Sequence, residues 1–220
     1  MMSDEEIVGI VKRIGPVVLS AAVRLTGTVG TALRRAVGMM VVDPNMLDLE
    51  TFCYAFSVCV DLARNCKATL TTMDRVRKAA LAERPVSLQA VQTVLAMVRL
   101  TLATEARIVA YMTFRSREEV DAIAGVMNAA FTQTIEVASD DLDAATYMAM
   151  INLHGSVTQH LAVRGRQLPR VINYSYQGVM PSLRMAQRAY ADPMRHLELI
   201  AENSVVHPAF CPRQGKMLAV

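Results

Sequence analysis

The chain has 220 residues, a length that suits one large domain or one domain with a small appendage. Hydrophobic residues make up 53% and charged residues 20%, and the formal net charge of +3 is too small to imply a nucleic-acid binder by itself. The apolar excess is Ala, Val, Leu and Met, with fifteen Met and no Trp, a composition that suits helices packed on helices or on neighbouring subunits.

The first helix is predicted to open at Ser3, with Glu6 as its capping-box partner, and to run to about Gly38 with a bend at Gly15-Pro16. Ser3-Asp4-Glu5-Glu6 places acid where a secretory leader needs a basic segment, so no leader is expected. Between Ile14 and Leu33 the single charge is Arg24, which is near the length of a membrane span. Gly15, Pro16, Gly27 and Gly30 interrupt that stretch, so the expectation is a face buried between helices, across subunits, rather than in lipid. Val23 and Val29 are expected within it.

Asp43-Pro44-Asn45 reads as a turn, followed by a second helix over about 48–83. Phe52, Phe56, Val60, Ala63, Leu70, Met73 and Val76 recur there at helical steps, and Arg75, Arg77 and Lys78 suit the negative end of its dipole. Ser87 caps a third helix, with Leu88, Val91, Val94, Leu95, Val98 and Leu102 as its stripe, ending near Phe114. Ser116 and Glu119 form a capping box for a fourth helix to about Ala138. Ser139-Asp140-Asp141 opens a fifth, which Gly165 is expected to stop in a left-handed conformation. Five helices with short connections predict an antiparallel bundle over 1–165.

Past Gly165 the texture changes. Val171 to Tyr176 alternates in β-branched and aromatic residues and predicts a short strand. Pro181-Ser182 begins a short helix to Tyr190, and Asp192-Pro193 caps another to about Asn203. Met217 to Val220 can form a closing strand. Residues 166–220 therefore predict a β-α-α-β module, with Leu183, Ala186, Leu197 and Ile200 turned inward.

Motifs for catalysis are missing. No GxxxxGK[ST], HExxH or GxSxG occurs, so no enzyme and no cofactor are expected. His154 and His160 lie about 240° apart around a helix, too far to share a metal, and His207 before Pro208 reads as structural. Cys53, Cys59, Cys66 and Cys211 form no CxxC pair, so no metal site is expected, and an intersubunit disulfide stays open. Charge is uneven along the chain: residues 105–165 carry −4 and residues 166–220 carry +4. Arg184 and Arg188 share a helix face and Arg195 begins the next helix, with Tyr174 and Tyr176 nearby. These three cations are the candidate contacts to a partner protein or to DNA, although so few would hold DNA only weakly and in a salt-sensitive way.

The last fifty residues resemble a LysM domain through Leu183, Ala186, Tyr190, Leu197, Ile200, Asn203, Pro208 and Gly215, although Met180-Pro181 stands where such domains carry Gly-Asp. Over about 105–220 the chain is similar to the C-terminal half of the Mu-type phage DNA circularisation proteins, which are tail proteins. The similarity rests on Leu168-Pro169-Arg170, Pro181-Ser182-Leu183, Ala189-Tyr190-Ala191-Asp192 and, above all, the run from Ala201 through Asn203, Pro208 and Phe210 to Pro212. Residues 1–104 match only in being helical and rich in Ala.

That resemblance implies a virion protein, assembled in the host cytoplasm, in the baseplate or hub of a contractile tail. Its partners would be other tail proteins and copies of itself in a ring, without a membrane. It implies Leu183, Tyr190, Asn203, Pro208, Phe210 and Gly215 as the signature of the LysM-like module. A DNA-end-binding role and a peptidoglycan-binding role are the alternatives.

Overall fold

A computed structural model describes residues 2–43, 47–140 and 144–219, with the side chains of 2–3 and 138–140 outside that description. Among the described residues the chain is mainly helical, 73% helix, with a small two-stranded antiparallel sheet. Two compact units emerge: Met1–Met112 with Met127–Val157, and Thr113–Val126 with Thr158–Val220. The second unit thus takes in helical residues that precede position 166.

Among the described residues seven helices, not five, come before the sheet: α1 (Met2–Ala21), α2 (Gly27–Val42), α3 (Leu49–Asn65), α4 (Leu70–Ala82), α5 (Leu88–Ala110), α6 (Arg117–Asp140) and α7 (Ala144–Arg166). The two extra breaks fall where the pattern predicted continuous helix. Pro16 is accommodated inside α1, and the chain turns instead at 22–26, where the Arg24 N–H donates to the Cys66 carbonyl at 3.0 Å. A continuous helix to Gly38 would keep Ile7, Ile10 and Ile14 apart from Leu33, Val37 and Met40; the turn folds α2 back on α1 and puts them in one core. The second break follows Cys66, with Lys67 at φ 65 and a Thr69/Thr72 capping box starting α4.

In the first unit, Phe52 and Phe56 of α3 stack with centroids 5.8 Å apart and are fully buried. Met73, Val76 and Ala80 of α4 and Val94, Met97 and Val98 of α5 complete that core. Burial of such side chains contributes about 1.5–3 kcal/mol each.

Several local expectations are corrected. Ser3 lies outside the described side chains, and Glu6 serves a different helix: its carboxylate accepts the Val86 N–H at 2.6 Å and the Ser87 N–H at 3.1 Å, next to the start of α5. The Ser87 side chain first, then these two backbone N–H groups, hold the Glu6 pKa below the usual carboxylate range. Arg77 was expected in the last turns of its helix, but the last turn of α4 holds no basic residue, and Arg77 is 4% exposed. Val18, Ala21 and Leu33 are buried, whereas Val23 (61% exposed) and Val29 (39%) remain on the surface of the single chain. The uncharged stretch therefore has one buried side and one open side. Pro44, Asn45 and Asp141 lie outside the described residues, and no described helix is long and apolar enough to cross a membrane.

Two caps match the reading: Ser87 accepts the Ala90 N–H at 3.3 Å, and Ser116 accepts the Glu119 N–H at 3.3 Å. Asp48, near which the second helix was expected to begin, accepts the Thr51 N–H at 2.9 Å. Glu119 answers one residue early, at the Arg115 N–H rather than at Ser116.

In the second unit, β1 (Val171–Ser175) pairs antiparallel with β2 (Gln214–Leu218), Tyr174 opposite Gly215. Between them come α8 (Ser182–Tyr190), a 3-10 turn (Pro193–Arg195) and α9 (His196–Glu202). The sheet is tied to helical residues of its own unit: the Val171 N–H donates to Glu118 at 2.9 Å, and the Arg117 N–H to the Pro169 carbonyl at 3.0 Å. Gly165 does not stop α7 in a left-handed turn. It stays helical, where its missing Cβ would stand 3.4 Å from Val120 Cγ1, and α7 ends one residue later, ahead of Pro169.

Candidate functional site

The order β1-α8-α9-β2 places every residue singled out in the C-terminal segment on one small scaffold. Its core is Tyr174, Met180, Met185, Ala186, Tyr190, Leu199, Cys211 and Met217. The inward faces differ in part from the predicted ones, and Ile200 is only half-buried. Ala186 is fully buried as expected, but Leu183 is 52% exposed and Leu197 64% exposed, while Met185 and Leu199 take the interior. In α8 the buried positions 182, 185, 186 and 190 form a stripe at helical spacing, and Leu183 sits about 90° from the centre of it. Leu199→Ala is therefore expected to cost roughly 2–5 kcal/mol, and Leu183→Ala under about 0.5 kcal/mol. Urea denaturation of the two variants, followed by exchange of the β1 and β2 amides, measures that contrast.

Asn203 fastens the end of α9 to β2. Its amide nitrogen donates to the Leu199 carbonyl at 2.8 Å and the Lys216 carbonyl at 2.7 Å, and its oxygen accepts the Lys216 N–H at 2.7 Å. Gly215 makes that approach possible, because a Cβ there would stand 2.1 Å from Asn203 Oδ1. Tyr190 completes the fastening: its hydroxyl accepts the Leu218 N–H at 3.1 Å, and burial raises its pKa. The Pro208 carbonyl accepts the Ser182 N–H at 2.7 Å, which docks the incoming loop on the start of α8. Phe210 is 68% exposed and leans on His207, whose Nδ1 accepts the Ala209 N–H. Asp192 accepts the Met194 N–H at 2.8 Å, the cap expected of it.

The three arginines do not form one set. Arg184 and Arg188 are exposed on one face of α8. Arg195 is instead half-buried, with its guanidinium 4.0 Å above the Tyr190 ring and paired with Glu198 at 2.8 Å. Its charge is spent within the module, and the bond to Glu198 raises its pKa further. Of the three candidate contacts, only Arg184 and Arg188 are open to a partner. Tyr174, considered as a base-stacking ring, is 8% exposed and bonded to the Pro212 carbonyl, so its face is closed to a nucleotide.

Cys53, Cys59, Cys66 and Cys211 carry free thiols, and burial pushes Cys59 up to about 11, which keeps it protonated. His154 stacks on Phe131 at 4.9 Å with Nε2 2.8 Å from Asn128 Oδ1, a packed arrangement inside its own unit. Among the described residues no three His, Cys, Asp or Glu side chains come together as a metal site.

Sequence reasoning missed the Met180–Cys211 backbone bridge that closes the module. Neither residue carries a local strand signal, and the two come together only once the loop between them has folded. No family model matches this chain, and no curated protein matches it.

Proposed function

We propose that this chain is a non-enzymatic structural component of a contractile phage tail, in the baseplate or hub where the tail tube starts, and that it docks its neighbours through a LysM-like C-terminal module. The observation that carries the reading is the module itself. Its strand-helix-helix-strand order, fastened through Asn203, Gly215 and Tyr190, uses the residues on which the resemblance rests. What the module turns outward is Leu183, Arg184 and Arg188, an apolar and basic combination that suits a protein surface bearing carboxylates. Val23 and Val29, open on the single chain, give the helical body apolar surface for packing in a ring of copies.

DNA-end binding is the competing reading, and two exposed arginines favour it only weakly. Each phosphate contact adds about −0.9 to the log–log salt slope, so this pair would give a slope near −2. The double variant Arg184→Ala/Arg188→Ala is expected to fold normally and to be lost from assembled tails, with no gel shift by either protein at physiological salt. Tails that incorporate the double variant as well as the parent would refute docking through α8. A salt-stable DNA complex would move the protein to the competing class, and retention on purified cell-wall glycan would make the module a peptidoglycan binder.

A further inference from the structure

The first unit holds a group of charges in its interior that packing alone does not call for. Glu105 of α5 is 1% exposed and Arg77 of α4 is 4% exposed. The guanidinium stands between two carboxylates. Its terminal Nη2 is committed to Asp74, while Nε alone reaches Glu105, at 3.3 Å and 3.4 Å from the two oxygens. Asp74 has a second partner in Lys78, at 2.6 Å. Asp74 is thus well served, whereas Glu105 shares one long N–H across two oxygens that together offer about four acceptor sites. Thr101 and Thr104 of the same helix give their hydroxyls to the Met97 and Leu100 carbonyls instead.

We propose that the Asp74–Arg77–Glu105 cluster is a proton-operated latch between α4 and α5, tight when Glu105 carries a proton and loosened when it does not. A buried carboxylate so poorly bonded is costly to ionise. Burial pushes the Glu105 pKa up to about 7, the Asp74 charge adds to the rise, and Arg77 and Lys78 oppose it. The charges that act on Glu105 all stand on α4. On α3, which also packs against α5, Asp61 is paired with Arg107, two residues on and about 200° around the helix, and with Arg64. On α1, Arg13 is taken by Glu83. A carboxyl whose folded value lies above its unfolded one binds its proton more firmly in the closed state. The stabilisation is therefore full below the ordinary carboxylate range and is lost progressively as pH rises to about 7.

Hydrogen exchange on the full chain, corrected for intrinsic rates, tests the latch. Between about pH 5 and 7, protection of α4 and α5 amides is expected to fall by up to about tenfold per pH unit and to level off above. Glu105→Gln, neutral at every pH, is expected to remove the slope. Asp74→Asn, which takes away the rival carboxylate, is expected to move the levelling point to lower pH, and it serves if the Gln variant does not fold. Protection that ignores pH in the parent chain overturns the proposal. So does a slope that survives Glu105→Gln, or a levelling point that Asp74→Asn leaves in place.

Discussion

Gly215→Ala is expected to destabilise the C-terminal module by roughly 2–4 kcal/mol. A Cβ at this position would lie 2.1 Å from Asn203 Oδ1, 2.9 Å from its Cγ and 2.7 Å from the Tyr174 hydroxyl, all closer than real Cβ contacts come. Something must shift, and the atoms in the way are not the loose ends of flexible chains. Asn203 is held by three hydrogen bonds that join α9 to β2, and each contributes about 0.5–1.5 kcal/mol. Tyr174 is buried in the core opposite Gly215. The gain in strand preference from replacing glycine, below about 1 kcal/mol, is too small to offset those losses. The mechanism makes a second demand. In an Asn203→Ala background the main obstruction is gone, so Gly215→Ala should cost clearly less there than in the parent. Strictly additive costs, read from exchange of the β1 and β2 amides, would show that Asn203 is not what the glycine makes room for.

The parts of this fold that were legible in the sequence are those fixed by local chemistry. Asp48, Ser87, Ser116 and Asp192 announce helix starts because a cap needs only its own next two or three residues. Asn203 and Gly215 were both singled out, although they lie twelve positions apart, because the resemblance carried both. What stayed hidden depends on distant neighbours. Residues 22–26 hold neither Gly nor Pro, and the turn there is forced by the need to bury α1 and α2 in one core. Arg77 looked like one more cation in a basic run, since its partner Glu105 lies twenty-eight positions away. In α8, Leu183 and Met185 are both apolar, so hydrophobicity alone could not select the inward one. Met185 is buried in one core with Met180 and Cys211, partners that come together only in the folded chain, and Leu183 is left exposed next to Arg184.

Gly30→Ala and Gly38→Ala should act in opposite directions although both lie in α2. Replacing glycine by alanine inside a helix ordinarily gains up to about 1 kcal/mol from backbone entropy. Gly38 has nothing within 4 Å of its would-be Cβ and is exposed, so it should show that gain undiminished. Gly30 is buried, and its Cβ would stand 2.3 Å from the Leu25 carbonyl oxygen, 2.4 Å from the carbonyl carbon and 2.9 Å from Cα. Those are backbone atoms of the turn between α1 and α2, and the Arg24 N–H just before them is bonded to the Cys66 carbonyl. The turn cannot give way without loosening α2 from the core that Leu33 and Val37 share with α1. Forcing a methyl into such a contact costs about 1–3 kcal/mol, occasionally more, which outweighs the propensity gain. Urea midpoints should therefore rise for Gly38→Ala and fall for Gly30→Ala, with the slope of the transition unchanged in both. If the two substitutions stabilise the chain alike, the α1–α2 turn is not packed against Gly30, and the close return of α2 onto α1 would have to be redrawn.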